Sequence, residues 1–115
     1  MKFKAVIFDL YGTLVDMFPF RENECVLEMA FQLGAPQLEF AQKWFDSFSQ
    51  RELGEFATVK ACIEYVCRAV GVPPESSKIM KATKTLLDYT FRTLTPRAEV
   101  LETLNFLKSD GIKIG

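Results

Sequence analysis

With 115 residues, 49% of them hydrophobic and 25% charged, the chain has the size and composition of one small globular domain and not of a disordered segment. Its 14 basic and 15 acidic side chains leave a net charge of -1, which argues against a nucleic-acid surface or any strongly charged partner. Histidine is absent, so the commonest general base and zinc ligand are missing, and proton chemistry falls to carboxylates, Lys or Tyr.

The chain opens on an apolar run from Phe3 to Phe8, rich in β-branched and aromatic residues and without the polar alternation of a half-exposed strand. It reads as a strand central in a parallel sheet. Although Lys2 and Lys4 precede its apolar stretch Ala5 to Phe8, Asp9 interrupts that stretch far short of the length a signal peptide needs, and no stretch reaches the length of a transmembrane span. In open α/β sheets the reactive groups sit just beyond the carboxyl ends of such strands, and Asp9 stands there. The plainer alternative is a turn residue, since an Asp before Tyr11-Gly12 commonly bonds its own backbone. Gly12 supplies the tight turn, Thr13 bonds the loop that aims Asp9, and Asp16 caps the exit.

Met17-Phe18-Pro19-Phe20 is too apolar for a free linker and marks the passage from one layer to another. From about Pro19 to Leu33, the residues Val26, Met29, Ala30 and Leu33 fall at helical spacing, and Gly34 with Pro36 supplies a stop and a restart. A second helix carries Leu38, Ala41, Phe45 and Phe48, with Phe40 and Trp44 as a second apolar ridge, until Gly54 breaks it. Thr58 is the expected N-cap of a third, whose face is Val59, Cys62, Ile63, Val66 and Val70, and Gly71-Val72-Pro73-Pro74 ends it. A fourth, from about Glu75 to Phe91, puts Ile79, Thr83, Leu86, Leu87 and Thr90 on one side and Lys78, Lys81 and Lys84 on a solvated face. Thr95-Pro96 then opens a fifth helix with Val100, Leu101, Leu104 and Leu107 as its stripe, closed at Ser109-Asp110-Gly111, before Ile112-Lys113-Ile114 begins a strand. Cys25, Cys62 and Cys67 make no Cys-x-x-Cys pair, which fits reduced thiols in a helical core and a cytoplasmic setting.

Phe8-Asp9-Leu10-Tyr11-Gly12-Thr13-Leu14 closely resembles the first signature of the haloacid dehalogenase superfamily, and the run from Thr95-Pro96 to Gly111-Ile112-Lys113-Ile114 resembles its segment returning from a helical cap to the second core strand. The resemblance implies an α/β fold with an incomplete Rossmann-like parallel-sheet core, residues 1–18 and 93–115, and an inserted four-helix cap subdomain, residues 19–92. It implies a hydrolase in which Asp9 is the covalent nucleophile, Tyr11 and Thr13 assist catalysis, and Leu10 and Gly12 contact a small anionic substrate. Magnesium, if used, would take the Asp9 carboxylate and the Tyr11 main-chain carbonyl.

The family's phosphatases carry a second Asp where this chain has Tyr11, a poor base for activating water near neutrality. Halide leaves without a proton, and the 2-haloacid dehalogenases carry Tyr there, so cofactor-free dehalogenation is preferred over magnesium-dependent hydrolysis of phosphorylated metabolites. The halide-receiving cap Arg of those enzymes would fall near Phe40, where the chain has Gln42 and Lys43; Arg21 and Arg51 qualify only with shifted spacing. A different class of reading makes the helical segment a binding or oligomerisation module, possible as a homodimer, with Phe40 and Trp44 as an exposed contact. Two strands are too few for a covered parallel sheet. The chain is therefore expected to be the N-terminal part of a longer enzyme, inactive and prone to associate by itself.

Overall fold

The computed structural model describes residues 2–16 and 22–115, with Glu22 described by its backbone alone. The expected Met17-to-Phe20 passage, the start of the first helix near Pro19, and Arg21 lie outside these residues. The chain divides into two compact units, Phe20–Thr90 and Met1–Pro19 with Phe91–Gly115.

The larger unit is helical. Its elements are α1 (Glu22–Leu33), α2 (Gln37–Asp46), α3 (Phe48–Glu52), α4 (Val59–Ala69) and most of α5 (Ser76–Thr93). The first helix stops where Gly34 takes φ 69°, which lets its N–H bond Phe31 and the next N–H, of Ala35, reach back to Ala30 at 2.9 Å. That wrap satisfies carbonyls a straight end would strand. Buried Val26, Met29, Ala30 and Leu33 then pack α1 on α2, and α2 on α4.

The second helix, whose two apolar ridges predict cover on two sides, packs Ala41 and Phe45 of the first ridge partly against the core. Phe40 and Trp44 are fully buried, whereas Leu38 is 81% and Phe48 56% exposed. The two rings stack with centroids 6.3 Å apart, inside a cluster that includes Cys62, Ile63, Val66, Cys67 and Ile79. Two apolar ridges were legible and the neighbours chose between them. The Phe40/Trp44 ridge is therefore core and is not available as an exposed contact.

The helix predicted to run unbroken to Gly54 is interrupted at Ser47, the one buried polar residue among those described. Its hydroxyl donates to the Trp44 carbonyl at 2.8 Å and accepts from Arg51 Nη1 at 2.6 Å, and Arg51 also donates to that carbonyl. The guanidinium lies 4.4 Å from the Trp44 ring centroid. A break in a helix is tolerated here because its polar atoms are hydrogen-bonded.

Thr58 caps α4 as its sequence position predicts, its hydroxyl accepting from the Ala61 N–H at 3.1 Å. Thr58→Ala should therefore cost about 1 kcal/mol, read as a lowered midpoint in urea denaturation, while Thr58→Ser should cost much less. In α5 the buried residues are Ile79, Ala82 and Tyr89, while Leu87, expected inside, is 43% exposed. Lys78 pairs with Glu75, just before the helix, at 3.4 Å and Lys84 with Asp88 at 2.5 Å, both on the surface.

The smaller unit overturns the expected fold class. About 60% of the described residues are helical, and the strands are two short pieces, β1 (Ala5–Val6) and β2 (Lys113–Ile114). They pair in parallel, Ala5 with Lys113 and Val6 with Ile114, and α6 (Val100–Ser109) packs on β2. This does not fit a Rossmann-like parallel-sheet core with an inserted four-helix cap. Among the described residues the run from Phe3 to Phe8 has only one neighbouring strand, so it is not central here; Phe3 is 67% and Ile7 88% exposed. An unalternating apolar run predicts a doubly covered strand only when neighbours and layers exist to cover it.

The fifth predicted helix also starts later than Thr95-Pro96. Pro96 instead pairs with Val15 in an isolated antiparallel bridge, and α6 begins at Val100 with Glu99 before it. Its apolar stripe is only partly covered, since Val100 is buried and Leu101 62% exposed.

Candidate functional site

Immediately after β1 the chain forms a compact turn built around one acceptor. The Leu10 carbonyl takes the N–H groups of Thr13, Leu14 and Val15 at 3.3, 2.9 and 3.1 Å, and the Gly12 N–H bonds the Val15 carbonyl at 2.7 Å. The turn requires φ 78° at Gly12, which a residue with a Cβ adopts only with strain. Strand, glycine and turn together present Asp9 to solvent.

Thr13 Oγ1 donates to Asp9 Oδ2 at 3.3 Å, and among the described residues it is the only hydrogen-bond partner of that carboxylate. One carboxylate oxygen is thus oriented by the turn. Leu10 is 43% and Tyr11 39% exposed, so both side chains are accessible beside Asp9 in sequence; Tyr11 also makes an isolated bridge to Val15. Gly12 contributes backbone and no side chain.

Arg97, which the sequence did not single out, meets this turn. Its N–H donates to the Leu14 carbonyl at 3.0 Å, its Nη1 to the Gly12 carbonyl at 3.5 Å, and its Nε lies 3.7 Å from Asp16 Oδ1. Asp16 is the counter-ion of this guanidinium, with its side chain 83% exposed, and the exit it is expected to cap lies outside the described residues. Nothing in the residues around Pro96 signals the contact, because it depends on the chain returning to the turn from far along the sequence.

The other basic candidates are engaged within the helical unit or undescribed. Arg51 is committed to Ser47 and Trp44, and Arg21 is outside the described residues. Gln42 donates to Asp46 at 2.8 Å, and with Lys43 it borders a shallow groove of about 340 Å³ lined also by Leu38, Glu39, Ala69 and Val70. Glu39 is the only carboxylate in that lining, so the groove offers no pair of carboxylates.

The cysteines are packing residues and not nucleophiles. Burial pushes the Cys62 thiol up, against the Arg51 charge and the hydrogen bonds of Arg51 and Ser47, which pull it down. Burial likewise raises Cys67, with Arg68 lowering and Glu64 raising it further. None of the three is in a disulfide and all are buried, and an inaccessible thiol whose pKa is raised, as at Cys62 and Cys67, is inert.

For a cation the turn offers the Asp9 carboxylate and the Tyr11 carbonyl, with Asp16 already paired to Arg97. Among the described residues no group of three or more Cys, Asp or Glu converges. The donor set therefore does not fit a magnesium centre built by this chain, and no catalytic step is routed through one. No helix among the described residues is long and apolar enough to cross a membrane. Comparison of the chain with family models, with curated proteins and with solved structures gives no match in any of the three.

Proposed function

We propose that the full protein carrying this chain is a hydrolase of the haloacid dehalogenase type, with Asp9 as its covalent nucleophile. The observation that carries the reading is the Asp9 carboxylate, exposed three residues beyond β1, with one oxygen held by Thr13 and the turn closed on the Leu10 carbonyl. A nucleophile needs this combination of orientation and access.

On a 2-haloacid, an Asp9 oxygen attacks the halogen-bearing carbon from the side opposite the halogen. The carbon–halogen bond breaks, halide departs with the bonding pair, and an ester joins Asp9 to the substrate. Water then adds to the ester carbonyl of Asp9, the bond from that carbonyl carbon to the alkoxy oxygen breaks, and the 2-hydroxy acid leaves with its proton. The net change consumes one water and releases one halide and one proton. Thr13 orients the carboxylate for the attack, and Leu10 and Tyr11 supply contact surface for the substrate. Tyr11 favours this reaction over phosphate-ester cleavage, because an alkoxide leaving group calls for an acid/base carboxylate where the tyrosine stands.

The test is halide release from 2-chloropropionate beside phosphate release from p-nitrophenyl phosphate, each with and without a chelator. Halide release that survives chelation is expected. Chelator-sensitive phosphate release with no halide from any 2-haloacid would put a metal-dependent phosphatase in its place.

A further inference from the structure

We propose that Arg97 is the positioning residue of the Asp9 turn, a role that rests on reading Asp9 as the nucleophile. Three contacts of one residue converge on that turn: N–H to the Leu14 carbonyl at 3.0 Å, Nη1 to the Gly12 carbonyl at 3.5 Å, and Nε to Asp16 at 3.7 Å. Gly12 and Leu14 flank Thr13, and Thr13 is the residue that holds Asp9. Val15, 5% exposed, pairs with Pro96 at the next step of the same return, so main chain sets the register and the Arg97 side chain spans the turn from Gly12 to Asp16.

The span explains the residue type. A guanidinium presents several donors in a rigid fork and reaches a carbonyl and a carboxylate at once, whereas an ammonium is a point charge that serves one well. Asp16 completes the device by orienting the fork. Because Arg97 and Asp16 are 47% and 83% exposed, the pair contributes little to global stability. Its effect is local: it narrows the range of positions the turn samples, and reaction rate is far more sensitive to such misplacement than stability is.

Two measurements test the proposal. Amide exchange of Leu14 and Val15, whose N–H groups close the turn on Leu10, is followed by NMR in the chain as it stands. Arg97→Ala should speed exchange by about threefold to fivefold, Arg97→Lys by less, and Asp16→Asn in the same direction. The Arg97→Ala/Asp16→Asn double variant should add little to either single one, because the two act as one unit. In the full protein, Arg97→Ala should lower kcat for 2-chloropropionate by about tenfold with KM within about twofold, and Arg97→Lys should recover part of the loss. A residue that merely stabilised the fold would shift the midpoint of denaturation and leave kcat per folded molecule alone. Unchanged exchange, or unchanged kcat in an active full protein, overturns the role of Arg97. A wild-type full protein that releases neither halide nor phosphate overturns the nucleophile reading itself, while the exchange rates still separate the two failures.

Discussion

Asp9→Asn is expected to abolish turnover in the full protein, by about 10⁴-fold or more, because the amide cannot form the covalent intermediate on which both half-reactions depend. The same change should leave stability within about 0.5 kcal/mol of wild type, since Asp9 is exposed and its hydrogen bond from Thr13 can be accepted equally by the amide oxygen. The contrast between the two readouts is the diagnostic part. A turn-stabilising Asp with no chemical role would show little effect in either, and a carboxylate needed for folding would lose both together. Activity is to be followed in freshly prepared protein with mass analysis, because deamidation regenerates the aspartate. An Asn variant with substantial activity and no detectable reversion would remove Asp9 from the chemistry. Thr13→Val gives the intermediate case, with the carboxylate retained and its orienting donor lost. Its kcat should fall less than that of Asp9→Asn.

The second large effect belongs to the helical unit. Phe40→Ala should destabilise it by about 3–5 kcal/mol, since Phe40 is fully buried against Trp44 and its removal leaves a cavity. Small domains hold only about 5–15 kcal/mol in total, so a loss of this size should leave a substantial fraction of the unit unfolded on mild warming. Leu38→Ala, two positions earlier on the same helix, should change stability by less than about 0.5 kcal/mol, because Leu38 is 81% exposed. Urea titrations followed by far-ultraviolet circular dichroism compare the two variants directly. Similar midpoints, or the reverse order, would mean that α2 packs through its Leu38 face.

That pair of substitutions also marks the boundary between local and tertiary information. The sequence by itself determined where helices begin and end when the signal is carried within a turn of the chain. Gly34 closes α1 and Thr58 caps α4 because φ and the nearest N–H groups are local matters. It likewise singled out Phe8-to-Leu14 and gave Thr13 a bond to the loop; the turn instead aims the Thr13 hydroxyl at Asp9 itself, through contacts spanning a few residues.

The tertiary structure decided everything whose partner is distant. Alternative apolar ridges exist on α2, and only packing against α1 and α4 selected Phe40 and Trp44 over Leu38 and Phe48. The break at Ser47 depends on Arg51 folding back over Trp44, a contact that helical periodicity does not encode. Composition made Phe3-to-Phe8 read as a covered central strand, but strand length and burial are set by neighbouring strands, and the backbone at Ala5 and Val6 finds one neighbour, at Lys113 and Ile114 near the other end of the chain. Arg97 was invisible for the same reason: an arginine's partners are fixed by where the chain returns, and Pro96 returns it to Val15 in an extended bridge instead of starting a helix.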